Sequence, residues 1–391
     1  MIPYITREQF LWDFLKKEMI PNCIENVELN DLKFINKNSA IDSHDNKQLT
    51  IVSLAPNYLK FYFNKKESYL ERKIDHLHLD GCGIIINEKE TLESYLQNVL
   101  DTKTRKNIQR CWNRLNQSFK IEIKYYFGDI SEETYTFLLS KLHNMLVKRF
   151  DDKNTINSFL SNWENNTKNI FSSINNKNAS LFVIYSDGTP INISLNHHSN
   201  NTILFSECNA FNTDYYKFSL GHIGNYVLLK WCIDNNYKYL DLGNGVLDNK
   251  KKWSNSFYKT QYIVHFNDKN IVSKTLASIE IFKIKAKNFL KKIKLDKFIF
   301  HIKYFLRSPK KSVESTNIIY SLEKIEDAAC IKLKDLIEVD LKAHDFLRKP
   351  VYDSIFNSNE HINDIIIYKF SNNTYIIKGK KTALKLTIDT C

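Results

Sequence analysis

Three short strand-like runs, two turns, a helix and a fourth strand, all between Ala179 and Lys252, constrain this chain more than any other stretch. The apolar run Ala179–Tyr185 leads through Asp187-Gly188 into the alternating run Ile191–Leu195. Asp-Gly between two such runs is a strong short-range hairpin signal, because it supplies the positive φ angles of a tight primed turn. Thr202–Ser206 follows the turn residues Ser199-Asn-Asn201. Next come Tyr215-Tyr-Lys-Phe-Ser-Leu-Gly-His222, a helix-like segment to about Asp234, and the strand-like Tyr237–Leu242. Gly243-Asn-Gly-Val-Leu-Asp-Asn-Lys250 closes the stretch. A hairpin meander, a glycine-containing helix start and another strand are the makings of a cofactor-binding core.

The 391 residues allow two domains and a small extra piece. Hydrophobic residues at 43% and charged residues at 26% belong to an ordinary globular protein. Glycines number only 9, so each one in a patterned position carries weight. The formal charge of +12 favours an anionic partner: a phosphorylated cofactor, nucleic acid or a membrane surface. Seven scattered cysteines without CxxC spacing argue against a zinc site and fit free thiols in a reducing compartment. The N-terminus has no basic-then-apolar leader pattern, and no apolar run approaches about 18 residues. A cytoplasmic location is expected.

Thr6-Arg-Glu-Gln9 has the form of a capping box opening a helix that buries Phe10, Leu11, Phe14 and Leu15. Strand-like pieces follow, among them Leu49–Leu54, Leu59–Phe63 and Ile84–Ile86. A helix is expected from Thr91, then a basic one over Thr102–Leu115 with Lys103, Arg105, Lys106, Arg110 and Arg114 opposite Ile108, Trp112 and Leu115. That basic face is either simply solvated or a wall beside an anionic substrate. A strand at Ile121–Tyr126 and helices over Ser131–Phe150 and Ser158–Ile174 lead into the central stretch, and a last strand, Tyr258–Phe266, follows it. From Ile271 to about Leu306, Leu276, Ile279, Phe282, Ala286, Phe289 and Ile293 recur at helical spacing among many lysines. Such a helix packs on the preceding domain or lies on an anionic membrane. Arg307–Ser315 reads as a linker. The tail, 316–391, is expected to be a small α+β appendage with helical pieces over Asp335–Leu347 and a hairpin formed by Ile365–Phe370 and Thr374–Ile377.

The segment Tyr216–His222 can hold an anion, because a helix starting near Ser219 directs backbone N–H groups and its dipole outward. Gly221 permits close approach and Lys217 adds a charge; structural capping by Ser219 gives the same pattern. Neither a Walker loop nor GxGxxG is present. Asp241 stands at the carboxyl end of its strand, where ligands of α/β sheets gather, and is a candidate proton acceptor or an ordinary turn cap. Glu207 and the pair His197-His198 end adjacent strands. Alternation turns the two histidines to opposite faces, so only one can share a cleft with Glu207.

Taken together, residues from about Thr91 to Phe266 resemble the acetyltransferase domain of the CelD/BcsL-like branch of the GNAT superfamily, related to the FemAB transferases. The basic helix Thr102–Arg110, the segment Tyr215–His222 and Asp241-Leu-Gly-Asn-Gly245 followed by Lys250 carry the resemblance. Leu220 stands where the family has proline, and Asn249 where it has tyrosine. The resemblance implies an α/β (α+β) fold with two GNAT-like halves of mixed, largely antiparallel sheet flanked by helices. The expected segments are 1–90, a helical connection 91–175, an acyl-CoA-binding half 176–270, the basic helix 271–307 and the appendage 316–391. It also implies an N-acyltransferase moving an acyl group, acetyl first of all, from acyl-CoA to an amine, such as an amino sugar or envelope precursor. Asp241, Glu207 and His197 are then the catalytic candidates. Tyr216, Lys217, Ser219, Gly221, His222 and Lys250 are the cofactor candidates, with no metal. Two other readings suit the same sequence: a FemAB-type transferase using aminoacyl-tRNA, and a non-catalytic protein docking on a membrane or partner through 271–307.

Overall fold

A computed structural model describes residues 5–17, 19–37, 49–64, 68–152, 157, 159–293, 319–325 and 336–389. Up to residue 126 the order is β1 (Ile5–Gln9), α1 (Phe10–Lys17), β2 (Ile24–Leu29), β3 (Leu32–Ile35), β4 (Leu49–Pro56), β5 (Lys60–Phe63), β6 (Tyr69–Ile85), α2 (Leu92–Val99), α3 (Thr102–Ser118) and β7 (Ile121–Tyr126). The middle holds α4 (Glu132–Asp151), α5 (Trp163–Thr167), α6 (Ile170–Asn175), β8 (Ala179–Ser186), β9 (Thr189–Ser199), β10 (Ile203–Phe211) and α7 (Leu220–Asp234). Then come β11 (Tyr239–Asn244), α8 (Asp248–Trp253), β12 (Ser256–Asn267) and α9 (Ile271–Lys292). The tail has β13 (Ile319–Lys324), β14 (Ile337–Glu338), α10 (Arg348–Ser358), β15 (Ile366–Lys369), β16 (Thr374–Lys378) and β17 (Ala383–Asp389).

These elements form two compact units that interleave along the chain. One holds the described residues of Met1–Glu90, His197–Glu207 and Cys232–Lys311; the other holds those of Thr91–Asn196, Cys208–Trp231 and Ser312–Cys391. Residues 197–207, the end of β9 and the first half of β10, thus belong with the first unit, whereas the expected segments ran consecutively.

In the first unit the strands run β1-β4-β12-β6-β11-β10, with β1–β4 and β10–β11 parallel and the other pairs antiparallel, so the sheet is mixed. Thr6–Gln9, expected to cap a helix, is instead strand, paired from Ile5↔Leu49 to Gln9↔Ser53. Ladder bonds to β4 satisfy the backbone groups a capping box would have served. The helix begins directly after it and buries Phe10, Leu11, Phe14 and Leu15 as expected, against Val27, Phe34, Val52 and Ile263. Ile84–Ile86 proves to be the end of β6, whose polar first half pairs with β12 from Asn267↔Tyr69 onward. Two glycines let this strand take large neighbours: a Cβ on Gly81 would lie 2.2 Å from the Tyr258 ring, and one on Gly83 2.5 Å from the Tyr239 hydroxyl.

Helix α9 departs from the expected apolar face. Ser273, Ala277, Glu280 and Ile284 are buried, while Ile279, Phe282 and Phe289 are exposed. Small side chains allow close approach to Leu49, Ile51, Val264 and Phe266, and Glu280 is held by Arg7. The rest of the 271–307 segment, like the linker 307–315, lies outside the described residues.

In the second unit the strands run β10-β9-β8-β7, and every residue of β8 is buried. Asp187 and Gly188 both have positive φ, 48° and 76°, as the primed hairpin turn requires. Thr91, Asp101 and Ser131 cap α2, α3 and α4 through their side chains. Within the expected helix 158–174 the described residues break into a 3-10 turn, α5 and α6. Asn157 Oδ1 accepts the amides of Phe159 and Leu160, competing with helical bonding. The tail forms an antiparallel sheet, β13-β17-β16-β15-β14. Of the helical pieces expected over Asp335–Leu347, the described residues hold a 3-10 turn at Asp345–Leu347. The α-helix follows it as α10, where Pro350 sits in the tolerant first turn. Leu347, Val351, Ile355 and Phe356 share one core with Cys111, Leu115, Phe119, Tyr215, Phe218, Leu220 and Ile223. The tail is therefore built into this unit.

Gly81→Ala is expected to destabilise the fold by roughly 3 kcal/mol, the overpacking cost of a methyl group aimed into a buried ring. Urea unfolding measures it; an unchanged midpoint would contradict the packing of Tyr258 over β6.

Candidate active site

Asp241 lies in β11, opposite Gly83 of β6, and a register shift follows it before Asn244. Expected where ligands gather at a strand end, it is fully buried. Its Oδ1 accepts the Gly243 amide at 2.7 Å and the Tyr258 hydroxyl at 2.8 Å; its Oδ2 accepts the Tyr58 hydroxyl at 2.9 Å. Tyr58 stacks on Tyr239, with centroids 4.3 Å apart, and meets Tyr258 edge-on. Burial pushes the Asp241 carboxyl up to about 6, opposed by its three hydrogen bonds and by Lys250. Asp241 in turn raises both tyrosines well above their usual range, after burial itself. Lys250 bonds the Asn244 carbonyl at 3.1 Å, and burial lowers its pKa. Three of the carboxylate's roughly four acceptor positions are thus filled from within the protein. Its geometry is that of a group positioning the end of β11.

Glu207 and His197 make the second cluster of this unit. His197 Nε2 is 2.6 Å from Glu207 Oε2, and Lys16 Nζ bonds Glu207 Oε1. Lys16 also lies over the Trp12 ring, 4.3 Å from its centroid, and Trp12 meets Phe205 edge-on. Burial alone would raise the Glu207 carboxyl, but His197 and Lys16 together hold it below the usual range. Ionised, Glu207 accepts only, so the imidazole proton belongs on Nε2. In the neutral ring Nδ1 is then a lone pair, buried and without a hydrogen-bond partner among the described residues. His198 faces the other way, bonded through Nδ1 to the Tyr237 hydroxyl at 2.7 Å. Burial, then the neighbouring His197, lowers its pKa to about 3, so it stays neutral. The pairing of β10 with β11 ends at Phe205↔Asp241, two residues before Glu207.

In the second unit, residues 213–218 form a 3-10 turn, and Ser219 takes the left-handed conformation at φ 54°. Its carbonyl accepts the amides of His222 and Ile223, which starts α7. The first turn of such a helix leaves amides without intrahelical acceptors. Tyr216 points to solvent at 72% exposure, whereas Tyr215 and Phe218 are buried against α10. Lys217 is 3.7 Å from Asp353. Gly221 is no open cradle, since a Cβ there would be 3.3 Å from the Phe211 ring. Along α3, Lys106, Arg110 and Arg114 line a groove of about 470 Å³. Two of them are partly engaged: Arg114 bonds the Phe356 carbonyl, and both arginines lie over that ring.

The structure thus gathers Asp241 with Lys250, and Glu207 with His197, inside one unit, and Tyr216–His222 in the other. Sequence reading missed Lys16, Trp12, Tyr58 and Tyr258. No local signal marks them, as the bonds of Lys16 and Tyr58 span 191 and 183 residues. Gly81-Cys-Gly83 in a glycine-poor chain was the available hint.

These features define a mixed α/β fold with helices flanking a mixed sheet. Residues 102–258 match the family model of the acetyltransferase (GNAT) domain, and this part of the chain is similar to that family. No curated protein matches the sequence. Similar solved structures include FemX, at 8% identity over 56% of this chain and 72% of that one, TM-score 0.40. L-PGS from Bacillus licheniformis shares 10% identity over 59% and 72%, TM-score 0.34. A conserved protein of unknown function from Bacteroides thetaiotaomicron shares 10% over 56% and 70%, TM-score 0.38.

With its pKa raised from 3.8 to about 6, folded Asp241 keeps a proton the unfolded chain has already released. Its contribution to stability therefore falls as pH rises through that window, by roughly 3 kcal/mol in all, and is flat above it. The stability of wild type relative to Asp241→Asn should fall by that amount between pH 4 and pH 7 in urea unfolding. A constant difference would remove the shift.

Proposed function

We propose that this protein is a GNAT-type N-acyltransferase that uses acyl-CoA and an amine acceptor. The match of residues 102–258 to the GNAT acetyltransferase domain carries the reading. The acceptor nitrogen bonds to the thioester carbonyl carbon, the carbon–sulfur bond breaks, and CoA leaves as the thiolate. Positioning the two reactants supplies much of the rate. His197 Nδ1 takes the proton that the amine sheds, and Glu207, held by Lys16, orients the ring and stabilises the imidazolium that forms. Asp241 is assigned to shaping the end of β11. Tyr216, Lys217, Ser219 and His222, at the start of α7, are assigned to the CoA phosphates, with Gly221 a packing residue.

The basic groove on α3 supports a second reading, in which the donor is an aminoacyl-tRNA. Calorimetry separates the two. Acetyl-CoA or a longer acyl-CoA is expected to bind, and Tyr216→Glu, which sets a like charge at the phosphate site without touching the core, to weaken it about tenfold. Salt-sensitive binding of aminoacyl-tRNA with no acyl-CoA affinity would favour the second reading.

His197→Ala should lower turnover by about 10²–10⁴-fold while donor affinity stays near that of wild type. Near-normal turnover would end the role given to the His197–Glu207 pair.

A further inference from the structure

Helix α9 has apolar residues on two faces, and one of them packs on its unit, with Leu276 and Ile281 partly buried there. Ser273, Ala277, Glu280 and Ile284 turn inward. At about 100° per residue the opposite face centres on Phe282 and Phe289, with Ile279, Val272 and Leu290 beside them. All five are exposed, Phe282 at 71% and Phe289 at 61%. Single exposed apolar side chains need no explanation, but a continuous row along one 22-residue helix does.

Lysines border the row on both sides. By the same angular spacing Lys283 and Lys287 lie along one edge, and Lys274, Lys285 and Lys292 along the other. Glu280, the helix's one acid, is buried on the inward face with Arg7 at 2.9 Å and Lys283 at 2.8 Å. Lys274 is paired with Asp268 at 3.0 Å, as Lys283 is with Glu280. The positive charge at the rims therefore rests on Lys285, Lys287 and Lys292, beside an outward face that carries the apolar row and no acid of the helix's own.

That arrangement selects its occupant. A second copy would bring lysine rim against lysine rim. A polyanion in water would match the lysines but leave the row wet. An anionic lipid surface satisfies both, the row entering the acyl boundary while the lysine stems carry their ammonium groups up to the headgroup phosphates. The geometry points to α9 lying flat on an anionic membrane surface. No described helix is long and apolar enough to cross a bilayer, so the contact is peripheral. It does not depend on the acyl-transfer reading.

The test is co-sedimentation of the full chain with phosphatidylcholine vesicles and with vesicles of equal phosphatidylcholine and phosphatidylglycerol. Partition into the mixed vesicles should exceed that into the neutral ones and fall as salt is raised. Phe282→Ser/Phe289→Ser should reduce it at least about tenfold, with the unfolding midpoint unchanged because both rings already face solvent. Lys285→Glu/Lys292→Glu should abolish the preference for phosphatidylglycerol. The proposal is overturned if wild type ignores mixed vesicles at low salt, or if the double Phe variant partitions like wild type. A lipid-free dimer that the same Phe variant converts to monomer would also overturn it, by making the row a subunit interface.

Discussion

A fully buried carboxylate is the constraint on which the first unit depends. Asp241 must find hydrogen-bond donors within the protein, and Tyr58, Tyr258 and the Gly243 amide supply them. Each donor fixes something else. Tyr258 can reach the carboxylate only because Gly81 has no side chain, and Tyr239 beneath Tyr58 needs the same of Gly83. Gly243 adopts φ 77°, which favours glycine, and a Cβ there would already touch Phe205 at 3.5 Å. Pairing between β10 and β11 stops at this carboxylate, so Asp241 also marks where the two strands cease to share bonds.

The same physics gives Glu207 a different part. Its burial is nearly as deep, but its partners are a lysine and an imidazole, which favour the charged form, where Asp241 has neutral hydroxyls and an amide. Two buried carboxyls of one unit are thereby displaced in opposite directions. The difference in partners is what separates the role proposed for Glu207, orienting His197, from that proposed for Asp241, shaping the end of β11.

In the second unit the tail has an analogous organising effect. α10 covers Tyr215 and Phe218, which anchors the 3-10 turn from its apolar side and leaves Tyr216 outward. The arginines of α3, expected as a free basic wall, are partly drawn onto Phe356 of that helix. The tail, expected as an appendage, thus shapes both anionic-ligand candidates of its unit.

The sequence by itself determined the features that rest on local bonding. The Asp187-Gly188 hairpin, the caps at Thr91, Asp101 and Ser131, the run of β8 and the opposed faces of His197 and His198 all follow from φ preferences, short-range donors and strand alternation. Tertiary structure decided what depends on partners far along the chain. It made Thr6–Gln9 a strand, because β4 offered a ladder; it sealed Asp241 with Tyr58 of the loop after β4 and Tyr258 of β12; and it brought Lys16 to Glu207. Helix α9 shows the division most plainly. Periodicity revealed its apolar row, but only packing could choose the face turned inward. It turned inward Ser273, Ala277, Ile284 and the salt-bridged Glu280, the small residues letting the helix approach the sheet closely, and left the phenylalanines outside.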